Sequence, residues 1–89
     1  MASVPGMTRT GVEVTLVYWA SARAAAGCDR ERFTGVRVGD VLAAAVATHA
    51  GLEAVLGVST ILHDGRPVAA SDALSEGAIL EVLPPFAGG

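Results

Sequence analysis

The sequence has 89 residues, 52% of them hydrophobic and 4% aromatic, which is enough for one domain with an aliphatic core and too little for two. Its net charge of −3, without a cluster of basic residues, argues against nucleic acid or an anionic membrane as a partner. The one cysteine, Cys28, excludes an internal disulfide, and the apolar run near the N-terminus contains Glu13 and is too short to span a bilayer. We therefore expect a cytoplasmic protein.

The predicted elements start after a flexible N-terminal extension, residues 1–11, which shows no hydrophobic periodicity. Residues 12–19 alternate as a β-strand. One face carries Val12, Val14, Leu16 and Tyr18, and the other carries Glu13, Thr15, Val17 and Trp19. If the first face enters the core, the apolar side chains of Val17 and Trp19 have to be covered by something other than that core.

The middle of the chain predicts a short helix, an edge strand and a longer helix. Residues 21–26 are rich in alanine and are followed by Gly27, which is typical of a helix stop. Residues 29–34 alternate charged and short polar residues, as an edge strand does. Residues 38–49 have apolar residues at helical spacing, and we expect Gly51 to end this main helix.

The remaining predicted elements are short. They are a turn or helix at 52–57, a strand at 60–62, a turn at 63–67, an extended piece from Val68, a turn at 73–77 and a strand at 78–83. The last strand is apolar enough to be central in a sheet. Together, residues 12–83 predict an α+β domain with one main helix packed across the sheet.

Residues 84–89, Pro-Pro-Phe-Ala-Gly-Gly, are the segment whose sequence indicates chemistry. The two prolines restrict φ and favour an extended tail that projects from the last strand, with Phe86 as an apolar anchor. Gly88 and Gly89 lack a Cβ, so this backbone fits a narrow channel and the Gly89 carbonyl stays open to attack. A carboxylate is inert until it is activated, for example by adenylation. We therefore interpret the tail as functional rather than as a frayed terminus.

Three segments resemble the small subunit of molybdopterin synthase, in the MoaD/ThiS group of ubiquitin-like sulfur carriers. They are Tyr-Trp-Ala-Ser-Ala-Arg-Ala-Ala-Ala-Gly at 18–27, Leu-Ser-Glu-Gly-Ala-Ile-Leu-Glu-Val-Leu at 74–83 and Pro-Pro-Phe-Ala-Gly-Gly at 84–89. The resemblance runs from Val12 to Gly89. It implies a ubiquitin-like β-grasp fold with a mixed sheet.

The resemblance also implies a function. An E1-like adenylating enzyme would use ATP to activate Gly89, and a sulfurtransferase would convert its carboxylate to a thiocarboxylate. The tail, with Gly88 beside the reacting group, would then enter the large subunit of molybdopterin synthase and give sulfur to a pyranopterin precursor of the molybdenum cofactor. The protein itself would be a non-catalytic subunit with no bound cofactor.

The partner-binding surface is expected to include Val17, Trp19, Pro85 and Phe86. The strand pattern leaves the first two without cover, and the last two lie beyond the final strand. An exposed apolar patch on a small protein is commonly an interface, and an aromatic side chain is a favoured anchor within one.

The other chemically capable residues are expected to be structural. Cys28 follows Gly27 and fits a small filler in a turn, His49 ends a helix, and His63 lies in a turn. Because neither histidine has an acidic or thiol partner at ligand spacing, we expect no metal site.

Three alternatives stay open at this point. The same carrier could serve another pathway, such as thiamin, cysteine or a thiolated natural product. The chain could be a ubiquitin-like modifier that forms isopeptide bonds, since both classes use an activated diglycine. A β-grasp binding module with an inert tail is the third alternative, and the terminal diglycine argues against it.

Overall fold

The computed structural model describes residues 11–86. Within this range the elements are β1 (Val12–Tyr18), α1 (Ala20–Ala26), β2 (Arg30–Gly35), α2 (Val38–Thr48), α3 (Leu52–Val58), β3 (Thr60–His63), β4 (Arg66–Pro67) and β5 (Ile79–Leu83). Apart from Gly11, the predicted N-terminal extension lies outside the described residues. Ala87, Gly88 and Gly89 of the tail also lie outside them.

The five strands form one mixed sheet in the order β2-β1-β5-β3-β4. β1 and β5 are parallel, and the other neighbouring pairs are antiparallel. The last strand therefore lies in the centre and β2 lies at an edge, as predicted. Because β1 and β5 run in the same direction, they end at the same end of the sheet.

The core lies between one face of the sheet and the helices. Val14, Leu16 and Tyr18 of β1 are at most 2% exposed, whereas Glu13 is exposed on the other face, which confirms the predicted assignment. Full burial of such a side chain contributes about 1.5–3 kcal/mol relative to exposure. α2 packs on the same core through Val38, Val41 and Ala45. The predicted α+β class, with one main helix across a mixed sheet, is confirmed.

α1 is short and ends at the predicted glycine. Gly27 adopts a left-handed conformation (φ 76°), and its N–H donates a 2.8 Å hydrogen bond to the carbonyl oxygen of Arg23. A residue with a Cβ adopts this conformation at a cost, which is why glycine is favoured at a helix end. The reversal brings Cys28 to the beginning of the edge strand β2.

α2 begins where predicted but ends earlier than expected. Asp40 in its first turn accepts hydrogen bonds from the N–H groups of Arg37 and Val36, both at 2.9 Å, and these bonds lower the pKa of its carboxyl. At the other end, His49 has an extended backbone (φ −133°, ψ 93°), which cannot continue a helix. The prediction that Gly51 ends α2 is wrong, because Gly51 has a right-handed conformation and directly precedes α3.

The turn between β3 and β4 is tighter than predicted. Asp64 and Gly65 both have positive φ, 53° and 77°, which is the signature of a two-residue hairpin turn. His63 and Arg66 are therefore paired strand residues and not part of the turn. Pro67 is tolerated in β4 because this strand lies at the edge of the sheet.

Candidate functional site

The chain leaves the sheet at the end of β5, where burial changes abruptly. The inward side chains of β5 are at most 1% exposed, and Pro84 is also buried. Pro85 is exposed, and Phe86 is 92% exposed. The backbone therefore passes from core to solvent within two residues, just before the glycines that the sequence analysis singled out.

The backbone at Phe86 departs from the predicted extended path. Pro85 and Phe86 lie in a turn, and Phe86 has a left-handed φ of 65°. Proline fixes its own φ but not that of the residue after it, so a continuous polyproline path is not maintained through Phe86. Gly88 and Gly89 lie outside the described residues, and their role stays a prediction.

Val17 and Trp19 lie at the same end of the sheet as the tail. Val17 is half-buried and Trp19 is 44% exposed, and the indole Nε1–H of Trp19 donates a 3.3 Å hydrogen bond to Glu81 Oε2 of β5. A cavity of about 180 Å³ opens beside them. It is lined by Val17, Tyr18, Trp19, Arg23, Asp29 and Arg30. The structure thus brings the residues predicted to contact a partner to one end of the molecule.

The sheet face that points away from the helices carries the apolar Val17 and Ile79 on its central strands, with the acidic Glu81 beside Val17 and basic residues along β2. Ile79 of β5 is 52% exposed and pairs with Thr15, while Arg30 and Arg32 of β2 pair with Val17 and Thr15. Residues paired in register share a face of the sheet. An apolar centre with a charged rim is typical of protein–protein interfaces.

A polar cluster lies on the opposite, helix-covered face, at the edge strand. Glu31 pairs with Leu16 and therefore faces the helices. Its Oε1 accepts a 2.8 Å hydrogen bond from the Tyr18 hydroxyl, and its Oε2 lies 2.8 Å from His49 Nε2. The candidate ligand atoms of Cys28, Glu31 and His49 all lie within 4.8 Å of one another. We call these three residues the Cys28–Glu31–His49 cluster.

Burial and mutual contacts shift the pKa values within this cluster. Burial, assisted by the negative charges of Glu31 and Asp29, raises the pKa of the Cys28 thiol. Burial also acts to raise the pKa of Glu31, but hydrogen bonds with His49 and Tyr18 outweigh it and lower the pKa. Burial and the bond to Glu31 raise the pKa of Tyr18, so the phenol remains a donor. At neutral pH, Glu31 is thus a carboxylate beside a protonated thiol.

This cluster was not predicted, because its three members lie apart in the sequence. The premise that His49 has no acidic or thiol partner is wrong, since Glu31 and Cys28 both lie close to it. One signal was available: Phe33 and Glu31 share a face of β2, so an inward Phe33 implies an inward Glu31. The position of His49, 18 residues further on, depends on how α2 crosses the sheet. The prediction of no metal site therefore loses its basis, whereas the absence of a bound cofactor stays a prediction.

Comparisons with solved structures identify similar folds. Small archaeal modifier protein 1 from H. volcanii matches with a TM-score of 0.77 and 25% identity, over 85% of this chain and 100% of that chain. A second match is a Pyrococcus furiosus protein that is described as molybdopterin converting factor subunit 1. Its TM-score is 0.75 and its identity 27%, over 84% of this chain and 99% of that chain.

A third similar structure is a protein–protein complex of subunits 1 and 2 of the molybdopterin-converting factor from Helicobacter pylori. The match has a TM-score of 0.66 and 20% identity, over 88% of this chain and 100% of that chain, and at this identity it informs on the fold alone. No protein-family model and no curated protein matches the sequence.

Between residues 11 and 86, no helix is both long and apolar enough to cross a membrane. The mixed sheet, the helix across it and the parallel pairing of the first and last strands agree with these structural neighbours. The chain therefore has the predicted ubiquitin-like β-grasp fold. Its structural neighbours support the predicted resemblance to the MoaD/ThiS group of ubiquitin-like proteins.

Proposed function

We propose that this protein is a sulfur carrier whose reactive group is the carboxylate of Gly89. The observation that carries the proposal is the abrupt change from the buried Pro84 to the 92% exposed Phe86. A carrier has to deliver its end into another protein without disturbing its own fold. A chain that is buried at Pro84 and exposed at Pro85 and Phe86 meets that need. We accordingly assign residues 12–83 to the folded domain and 84–89 to the delivery tail.

The chemistry of the tail follows from the reactivity of a carboxylate. An E1-like enzyme uses ATP to form an acyl-adenylate at Gly89, which turns a poor electrophile into a good one. A sulfurtransferase then supplies sulfur at the oxidation level of sulfide, which attacks the carbonyl carbon; AMP leaves, and the product is a thiocarboxylate. Gly88 and Gly89 favour both steps because no side chain obstructs the carbonyl carbon. No side chain of this protein takes part in bond making, so it is not an enzyme on its own.

We further propose that the sulfur goes to a pyranopterin precursor of molybdopterin, with this chain as the small subunit of molybdopterin synthase. Support comes from the Pro-Pro-Phe-Ala-Gly-Gly ending and from the similarity to the Pyrococcus furiosus subunit 1 at 27% identity. The Pyrococcus furiosus protein is described as subunit 1 of the converting factor, and we propose that this chain likewise acts with a large subunit as its partner.

The proposed docking surface consists of Val17, Trp19, Pro85 and Phe86. These residues lie at the end of the sheet where the tail leaves, so a partner that receives the tail also covers them. The largest gain in buried apolar area on binding comes from Phe86, since it is 92% exposed in the free protein.

A second candidate function is that of a ubiquitin-like protein modifier. The observation that favours it is the similarity to small archaeal modifier protein 1 of H. volcanii, at 25% identity and a TM-score of 0.77. Both functions need an adenylated Gly89, and they differ in the nucleophile that follows: a sulfur donor in the first case and a lysine amine of a target protein in the second.

The proposal is tested by reconstituting sulfur transfer. The thiocarboxylated protein is mixed with the large subunit and the cyclic pyranopterin precursor, and the dithiolene product is quantified. We expect one sulfur to be delivered per carrier, and no product from a variant with a tryptophan appended after Gly89, although its melting temperature is unchanged. Product from the extended variant, without trimming back to Gly89, contradicts the carrier mechanism. Isopeptide-linked Gly89 on target lysines, without dithiolene product, supports the modifier function instead.

A further inference from the structure

The Cys28–Glu31–His49 cluster is built from three separate parts of the fold. Cys28 follows the left-handed Gly27 at the end of α1, Glu31 lies in the edge strand β2, and His49 is the first residue after α2. Their candidate ligand atoms, one sulfur, one oxygen and one nitrogen, all lie within 4.8 Å of one another. The fold thus brings three chemically different donors to one point.

These donors match the preferences of zinc. Zn²⁺ binds thiolate, imidazole and carboxylate, at bond lengths of about 2.0–2.3 Å that place tetrahedral ligand atoms about 3.5 Å apart. The separations of at most 4.8 Å in the structure exceed that spacing by about 1 Å, so the shifts needed to bring the donors to metal-ligand spacing are of that size. His49 Nε2 and Glu31 Oε2 already lie 2.8 Å apart, so a cation would take the place of the proton between them and separate them slightly.

The electrostatics of the cluster also fit a divalent cation. The side chains of His49 and Glu31 are 22% and 23% exposed, so the site is partly shielded from water but open to an ion. A Cys28 thiolate, a Glu31 carboxylate and a neutral imidazole carry two negative charges, which one Zn²⁺ balances. A neutral complex avoids the cost of leaving an uncompensated charge in a partly buried place.

Tyr18 holds the carboxylate in position. Its hydroxyl donates a 2.8 Å hydrogen bond to Glu31 Oε1, which leaves Oε2 directed at His49. Tyr18 is only 2% exposed, so its ring is fixed by the core. Hydrogen bonds of this kind orient ligands and typically change metal affinity about 10–100-fold.

We propose that Cys28, Glu31 and His49 bind one Zn²⁺ ion per chain, with water as the fourth ligand and Tyr18 as a positioning residue. On binding, the Cys28 thiol gives its proton to solvent and the sulfur coordinates as a thiolate. The ion connects β2 to the ends of α1 and α2. The proposal is independent of the chemistry of the tail.

The test uses the full-length chain without a histidine tag, reduced with a phosphine that does not bind metal. Co²⁺ is titrated first, because a cobalt–thiolate bond gives a charge-transfer absorption that reports on Cys28. Zn²⁺ affinity is then measured by competition with a chromophoric chelator. We expect a stoichiometry of one, with the charge-transfer band lost in Cys28→Ser and Zn²⁺ affinity lowered at least about tenfold in His49→Gln and Glu31→Gln.

The matched control is His63→Gln, which removes the chain's other histidine. His63 lies 3.6 Å from Asp64, whose side chain is 88% exposed, so this variant loses a comparable acid–histidine pair at the surface. We expect its Zn²⁺ affinity and Co²⁺ spectrum to equal those of the parent. The Tyr18→Phe variant keeps the aromatic ring, so we expect it to keep the cobalt–thiolate charge-transfer band of Cys28. We expect it to bind Zn²⁺ about tenfold more weakly than the parent.

Circular dichroism of each variant without metal separates loss of binding from loss of fold. A parent protein that binds neither ion, or that binds with half an ion per chain, contradicts the proposal. So does a folded Cys28→Ser variant that keeps the charge-transfer band, or a His63→Gln variant that loses as much affinity as His49→Gln.

Discussion

The described part of the delivery tail, residues 84–86, and the Cys28–Glu31–His49 cluster lie at the same end of the sheet but are built in different ways. β5 ends there beside β1, and the first residues of the antiparallel strand β2 lie there too. The tail is one contiguous segment that follows the core, and Phe86 is 92% exposed. The cluster draws on three separate parts of the fold, and its Glu31 is hydrogen-bonded to His49 and to the neighbouring Tyr18.

This difference determines how each region responds to change. A substitution in the exposed part of the tail removes no contact of the folded domain, so it should alter partner binding or sulfur transfer alone. A substitution of Glu31 or His49 removes a hydrogen bond that joins β2 to β1 or to the end of α2, so it should lower stability as well. This comparison can be tested with substitutions along β5 and in the tail, and with substitutions that each remove one hydrogen-bonding group at the cluster.

The largest effect is expected for Leu80→Ala in β5. Leu80 is 1% exposed, so truncation leaves a cavity in the core and should lower the free energy of unfolding by about 2–5 kcal/mol. Urea denaturation measures this change. Phe86→Ala, six residues further on, is the control and should change stability by less than about 0.5 kcal/mol. Equal losses in the two variants would show that the tail belongs to the core.

Next to the cluster, Tyr18→Phe should lower the free energy of unfolding by about 1–3 kcal/mol. The substitution keeps the buried ring but removes the hydroxyl that donates to Glu31 at 2.8 Å. Thr48→Val is a matched control, because the Thr48 hydroxyl donates to the Ala44 carbonyl on the exposed side of α2 and its loss should matter little. A Tyr18→Phe variant as stable as the parent contradicts the structural role of the cluster.

In the tail, Phe86→Ala should weaken binding to the large subunit of molybdopterin synthase by about 1–3 kcal/mol, as expected for an aromatic anchor. Calorimetric titration of both proteins, alongside a melting curve, gives the comparison. Trp19→Ala should also weaken binding but lower stability as well, because more than half of its surface is covered. Unchanged affinity of Phe86→Ala would remove this residue from the docking surface.

A smaller, pH-dependent effect is expected at Asp40, far from both regions. Hydrogen bonds from the N–H groups of Arg37 and Val36 lower the pKa of this carboxyl in the folded state. Its contribution to stability is therefore complete above the unfolded-state value, about pH 4, and is lost as the pH falls through the lower folded-state value. The difference in melting temperature between the parent and Asp40→Ala should thus shrink below about pH 4. A difference that does not vary with pH contradicts this account.

A structural feature of this protein could be predicted from the sequence when its cause lies in the neighbouring residues of the chain. The faces of β1 could be predicted because alternation is a property of the strand itself, and Gly27 could be recognised as a helix stop because its conformation is local. The end of α2 could not, since His49 leaves the helix two residues before the glycine that the pattern favoured.

The two sites follow the same rule. The exposure of Pro85 and Phe86 could be predicted from the sequence of the tail, and the role of Gly88 and Gly89 stays a prediction. The turn at Phe86 could not be predicted, because proline does not fix the residue after it. The cluster could not be predicted, since Glu31 and His49 meet only through the packing of α2 against β2. Periodicity gives the inward direction of Glu31 but not the element that faces it.

The central claim, that Gly89 carries the transferred sulfur, is tested most directly by intact-protein mass spectrometry. The protein is incubated with its adenylating enzyme, ATP and a sulfur donor, and the parent is compared with Cys28→Ala and with a variant lacking Gly89. We predict that the parent and Cys28→Ala gain the mass difference between one sulfur and one oxygen, and that the variant lacking Gly89 gains nothing. A gain that persists without Gly89, or that is lost in Cys28→Ala, would contradict the assignment.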